Sequence, residues 1–183
     1  MTSSAFPEHT LETAPAAARR TMESVARRTG YLPSAVARLA TSPQLLDGFL
    51  RMSAVFESTT LDPLSREVVI MTIATRNECH VCVAMHTAKL TALGADDELI
   101  TALRDDGAPP LPDERLEAVR QFTLDVLATS GAVGDARLRS FQAHGYTPQN
   151  ALEVVLGIGA YTMSTLANRL TGAPVDDQLA AFA

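Results

Sequence analysis

Tryptophan is absent from this 183-residue sequence, aromatic residues make up only 5% of it, and there are just two cysteines. A β-sandwich fills its core with aromatic and β-branched side chains, whereas this chain is 46% hydrophobic and rich in Ala and Leu. Such a composition suits packed helices and predicts an all-α protein. Long apolar runs are also missing. No stretch reaches the roughly 20 residues needed to span a bilayer, and the opening MTSSAFPEHTLETAPAAARR holds no apolar segment of signal-peptide length. The expectation is a soluble cytoplasmic protein with no membrane partner. Positive charge is scarce as well: a formal net charge of −6, spread along the chain, leaves no basic stripe for phosphates and argues against nucleic acid.

What is present is a series of well-marked helices. Ser42-Pro43, Asp62-Pro63 and Thr147-Pro148 each read as an N-cap followed by proline at the first helical position. Breakers then predict helices over 15–28, 33–40, 43–56, from 63 onward, and over 78–93, 96–104, 113–128, 135–143 and 148–170. The helix from Pro63 carries Val68, Val69, Ile70, Met71, Ile73 and Ala74 around most of its circumference, the pattern of a centrally buried helix. GAPPLP at 107–112 is the clearest linker, read here as a loop within one domain over 1–183. Glu67-Val68-Val69-Ile70 with Ala74 recurs 86 residues later as Glu153-Val154-Val155-Leu156 with Ala160, which suggests two similar helical halves. At that offset the counterparts of the cysteines are Thr165 and Asn168, so dithiol chemistry is expected from the first half alone.

The two cysteines, Cys79 and Cys82, form a CxxC pair with His86 one helical turn beyond. In a reducing compartment such a pair points to catalysis or metal binding in preference to a structural staple. A helix capped by Asn77 would place all three on one narrow arc, since successive residues turn by about 100°. Its N-terminal N–H groups and dipole would favour a thiolate. Glu67 lies in an apolar helix with no evident lysine beside it; burial would raise its pKa and suit it to proton transfer, or else it faces solvent or pairs with an arginine such as Arg66 of another chain. His86, one turn beyond Cys82, is read as functional, the alternative being a satisfied core histidine. His80 either tunes the cysteines or faces water, and nothing associates His9 or His144 with chemistry. Zinc would find ligands in Cys79, Cys82 and His86, but a closed site needs a fourth, and no second pair exists; only Glu67 or His80 could complete an unusual one.

A glutamate, eleven intervening residues, CxxC and a histidine four residues after the second cysteine together resemble the alkylhydroperoxidase D-like members of the carboxymuconolactone decarboxylase superfamily. Here these are Glu67, Cys79, Cys82 and His86, within EVVIMTIATRNECHVCVAMHTAKL. The likeness extends to GYLPSAVARLATSPQLLDGF and to NRLTGAPVD at 168–176. It implies a compact helical bundle, assembled as a homotrimer or homohexamer, that reduces alkyl or hydrogen peroxides. By the resemblance Cys82 would attack the hydroperoxide, Cys79 would resolve the product as a disulfide, and Glu67 and His86 would relay protons. A lipoyl-bearing or thioredoxin-like dithiol would reset the pair, with no metal, flavin or haem required. One departure is visible: members carry histidine immediately before the second cysteine, whereas this chain has Val81 there and His80 one residue earlier. Two other functions stay open, a cofactor-free lactone decarboxylase or isomerase, and a non-catalytic redox-sensing oligomer.

Overall fold

The three proline-started helices have the caps their sequence announces in the computed structural model, which describes residues 5–183. Ser42 accepts the Leu45 N–H at 3.3 Å, Asp62 the Ser65 N–H at 2.9 Å, and Thr147 the Asn150 N–H at 3.1 Å. Each oxygen satisfies a donor the first turn leaves unpaired, and the proline that follows has no N–H to satisfy. They begin α3 (Pro43–Glu57), α4 (Pro63–Arg76) and α9 (Pro148–Thr171). The remaining helices are α1 (Ala16–Thr29), α2 (Ser34–Leu39), α5 (His80–Ala92), α6 (Asp97–Leu103), α7 (Glu114–Thr129) and α8 (Asp135–Ala143). A C-terminal 3-10 helix, Asp177–Phe182, was not anticipated; it packs on α5, and Arg104, which ends α6, donates from Nη1 to Phe182 O at 2.7 Å. The start of the opening stretch, residues 1–4, lies outside the described residues.

The fold is an all-α bundle organised around α4, which packs against α5, α7 and α9. Val68 through Ala74 are all buried, as the encircling apolar pattern requires. The linker at 107–112 is held down, not free: Leu111 is buried and its N–H donates to Glu117 Oε2 at 3.0 Å. Among the described residues no helix is long and apolar enough to cross a membrane.

The repeated motif is used differently in its two occurrences. Glu67 sits on α4, which ends shortly before the cysteines, whereas α9 runs unbroken from Glu153 through Thr165 and Asn168. Glu153 accepts the backbone N–H groups of Thr60 and Leu61 at 2.9 and 3.1 Å, fixing the approach to α4.

α9 meets the core closely at Gly157, where an added Cβ would lie 2.7 Å from Phe56 Cε2 and 3.1 Å from Val69 Cγ1. Phe56 is fully buried and edge-on to Tyr161, so its ring has nowhere to go. Gly157→Ala gains about 1 kcal/mol of helix propensity but overpacks a core where one inserted methyl costs about 1–3 kcal/mol. Overpacking wins. A thermal melt of this variant is expected to show a midpoint lower by about 2–6 °C.

Candidate active site

The dithiol sits at a sharp break between α4 and α5, and the break differs from the expected one. Asn77 ends α4 as its C-cap, and its side chain donates to Thr165 Oγ1 at 2.8 Å, so it does not cap α5. Glu78 follows in the left-handed region at φ 49°, and Cys79 is itself the N-cap of α5. The helix therefore begins at His80, two residues later than expected. The physical reason is that α9 captures the Asn77 side chain while Arg169 Nη1 takes the Asn77 carbonyl. Arg169 also pairs with Glu78 Oε2 at 3.1 Å.

Cys79 and Cys82 are joined as a disulfide with a Cα–Cα separation of 5.3 Å. Cys82 lies in the first turn of α5, where unpaired backbone N–H groups favour negative charge on its sulfur once the bond is reduced. The shared-arc argument thus holds for Cys82 and His86, while Cys79 stands off the helix at its cap. Val81 packs into the apolar cluster of Ala74, Cys79 and Cys82, and His80 is exposed.

Glu67 is buried at 6% exposure, and its Oε2 lies 2.6 Å from Nδ1 of His86, itself 5% exposed. Lys89, one turn further along α5, places Nζ 3.6 Å from Glu67 Oε1 and 3.2 Å from Glu57 Oε1. Sequence reading missed this lysine; its spacing of three from His86 on one helix was the available signal. Burial pushes the Glu67 carboxyl up, but the His86 and Lys89 charges and hydrogen bonds outweigh it and hold the group below its ordinary 4.5. The expected rise is corrected to a fall. Within the chain, Arg66 donates to the carbonyls of Leu61 and Thr59. An ionised Glu67 accepts the Nδ1 proton of His86, which leaves Nε2 as the basic nitrogen of the ring. Tyr161 stands edge-on to His86 with centroids 5.5 Å apart and bonds Ser53 Oγ at 3.1 Å, so the imidazole plane is held from two sides.

On the other side, Asn168 of α9 donates from Nδ2 to Cys82 Sγ at 3.3 Å. This corrects the expectation that only the first half serves the dithiol. A cavity of about 270 Å³ adjoins the turn, lined by Cys79, His80, Asn168, Arg169, Gly172 and Ala173 among others. His9 bonds Thr41 and His144 bonds the Ser140 carbonyl, both away from the cysteines. Among the described residues no group of three His, Cys, Asp or Glu side chains is arranged to hold a metal ion.

Residues 43–125 match the family model described as the carboxymuconolactone decarboxylase family. Among solved structures, an alkylhydroperoxidase AhpD core described as an uncharacterized peroxidase-related protein from Ralstonia eutropha JMP134 is 21% identical. It covers 95% of this chain and 93% of its own, with a TM-score of 0.82. A peroxidase-related protein from Silicibacter sp. TM1040 is 19% identical with a TM-score of 0.79, covering 96% and 92%. The apo debrominase Bmp8 is 12% identical with a TM-score of 0.77, covering 100% and 97%. At these identities the likeness is one of fold. No curated protein matches the sequence.

Proposed function

We propose that the chain, whose residues 43–125 match the carboxymuconolactone decarboxylase family and whose fold is that of the AhpD core, is an AhpD-like, thiol-dependent peroxidase working through Cys79 and Cys82. The observation that carries this reading is the buried Glu67–His86 pair at 2.6 Å, with His86 one turn from a cysteine already bonded to its CxxC partner.

The cycle starts from the reduced pair. His86 Nε2 takes the Cys82 thiol proton, and Glu67 stabilises the imidazolium that results. The Cys82 thiolate attacks the terminal oxygen of a hydroperoxide R–O–O–H; the S–O bond forms, the O–O bond breaks, and the departing RO⁻ takes the proton from His86. Sulfur is oxidised by two electrons and the products are Cys82–SOH and ROH. The Cys79 thiol then displaces hydroxide, which leaves as water with the Cys79 proton, and closes the disulfide. A dithiol of lipoyl or thioredoxin-like type returns the pair to thiols by exchange and carries away the two electrons.

The homo-oligomer that the resemblance implies is supported by one face of α9. Leu152, Val155, Leu166 and Leu170 are all exposed, Leu152 at 74% and Leu170 at 71%. At 100° per residue they fall within an arc of about 60°, an unpartnered apolar stripe. A Leu166→Glu/Leu170→Glu double variant is expected to run as a single chain in light scattering where the native protein runs as a multimer; unchanged mass in the variant overturns this assignment.

The deciding experiment follows peroxide consumption under excess dithiothreitol over several turnovers per subunit. Sustained consumption at constant oligomeric mass supports the peroxidase. A single stoichiometric oxidation that changes the mass identifies a redox sensor instead, and lactone turnover that survives loss of both cysteines identifies the decarboxylase or isomerase.

A further inference from the structure

The Asn168 amide, which reaches the dithiol from the second half, is also incompletely used. Asn168 is 5% exposed, its Nδ2 donates to Cys82 Sγ at 3.3 Å, and its Oδ1 is buried without a hydrogen-bond partner. A buried amide oxygen left unpaired is costly, and a native protein that tolerates one usually has a ligand or a reaction step for it. Asn168 lines the cavity beside the CxxC turn, and that cavity reaches solvent past the exposed Glu78 and His80. Its position is well fixed: the neighbouring Arg169 is tied to Asn77 and Glu78, and α9 ends at Gly172, whose left-handed φ of 63° turns the chain away.

We propose that Asn168 is a catalytic residue of the dithiol centre, with its amide N–H stabilising the Cys82 thiolate and its carbonyl oxygen accepting the O–H of a hydroperoxide that enters through this cavity. The proposal rests on the peroxidase reading. Both ends of one planar amide then serve one reaction. A peroxide whose O–H points at Oδ1 presents its terminal oxygen to the sulfur held by Nδ2, the orientation that attack with loss of RO⁻ requires. When the disulfide is later reduced at Cys79, the same N–H stabilises Cys82 as the sulfur that leaves with the electron pair. Val81, which cannot donate a hydrogen bond, stands where the family carries a histidine, and Asn168 supplies a neutral donor to the same sulfur from α9.

The test separates thiolate stabilisation from peroxide orientation. In a Cys79→Ser background, iodoacetamide alkylation of Cys82 is measured against pH for the Asn168 form and for Asn168→Ala and Asn168→Asp. Loss of a hydrogen bond to a charged group is expected to move the alkylation midpoint up by about one pH unit in the Ala variant. The Asp variant, which keeps the shape but brings a negative charge to the sulfur, is expected to move it further. Iodoacetamide does not need an O–H acceptor, and its rate with the fully ionised, more basic thiolate is expected to rise about threefold. Peroxide turnover of the two-cysteine chain, measured above the midpoint, is expected to fall about tenfold or more in both variants. Peroxide and alkylation rates that move in parallel overturn the orienting role, and a midpoint unmoved in a folded Ala or Asp variant overturns the thiolate role. If native protein fails to turn over peroxide while the alkylation midpoint still shifts, the peroxidase reading and its hydroperoxide contact fall together, and the sulfur contact stands. Turnover in the native chain with neither quantity moved in the variants overturns Asn168 alone.

Discussion

Cys82→Ser is expected to lower peroxide consumption by at least about 10³-fold, to the level set by dithiothreitol alone. A serine hydroxyl at this position keeps the backbone, the first turn of α5 and the Glu67–His86 pair, so the fold offers no other reason for the loss. Its oxygen is far less readily ionised than sulfur and is a poor nucleophile toward peroxide, and neither the helix dipole nor His86 closes that gap. Cys79→Ser is expected to behave differently. Cys82 then forms its sulfenic acid once, no disulfide follows, and consumption depends on how fast a small thiol reaches a residue that is only 6% exposed. Measuring the first turnover and the steady state in both variants therefore assigns the two sulfurs. Equal losses of the first turnover would show that the nucleophile had been misassigned.

Glu67→Gln is expected to reduce peroxide turnover by about 10²-fold without removing it. Gln keeps the size of Glu and can still accept the Nδ1 proton, but it cannot offset positive charge on the imidazole when Nε2 takes the thiol proton. The pH dependence has a definite sign. The Glu67 carboxyl is held below its ordinary 4.5 despite burial, because His86 and Lys89 outweigh the desolvation. It is therefore ionised throughout neutral pH, and Glu67 itself is expected to add no inflection to the activity profile between pH 5 and 8. Stability follows the same linkage. A depressed carboxylate contributes above its unfolded value, and the contribution is lost as pH falls through the folded value. Denaturant melts should find Glu67→Gln less stable than the native protein at pH 7 and the gap narrowed below about pH 4. A gap that widened on acidification would mean that Glu67 is protonated in the folded protein. Lys89 shares the pair: burial lowers its affinity for a proton, but Glu67, Tyr161 and Glu57 together raise it. It contributes stability below its ordinary 10.5, and the contribution disappears as pH rises through the still higher folded value.

Local chemistry made much of the fold legible. Ser42, Asp62 and Thr147 cap helices because a short side-chain oxygen followed by proline suits a helix start in any context, and the structure has the helices where those pairs predict them. The encircling apolar residues of α4 likewise place it at the centre. The start of α5 was less legible. Asn77 is a good cap by composition, yet it bonds Thr165, 88 residues away, and no local rule contains that partner. Lys89 escaped notice for a related reason. Glu67 and Lys89 belong to different helices, and only the packing of α4 on α5 brings their charges together.

The sequence by itself determined the all-α class and the helix order, which follow from periodicity and caps, and it set the spacing of Cys79, Cys82 and His86 along one stretch of chain, while Glu67 joined them only through the family resemblance. The tertiary structure alone decided that Glu67 is buried and ionised against His86 and Lys89, that Cys79 caps α5, and that Asn168 touches Cys82 from the far end of the chain. Spacing acts within a helix, whereas desolvation, charge pairing and a hydrogen bond to sulfur depend on distances between helices. Those distances are set when the apolar faces of α4, α5 and α9 pack together.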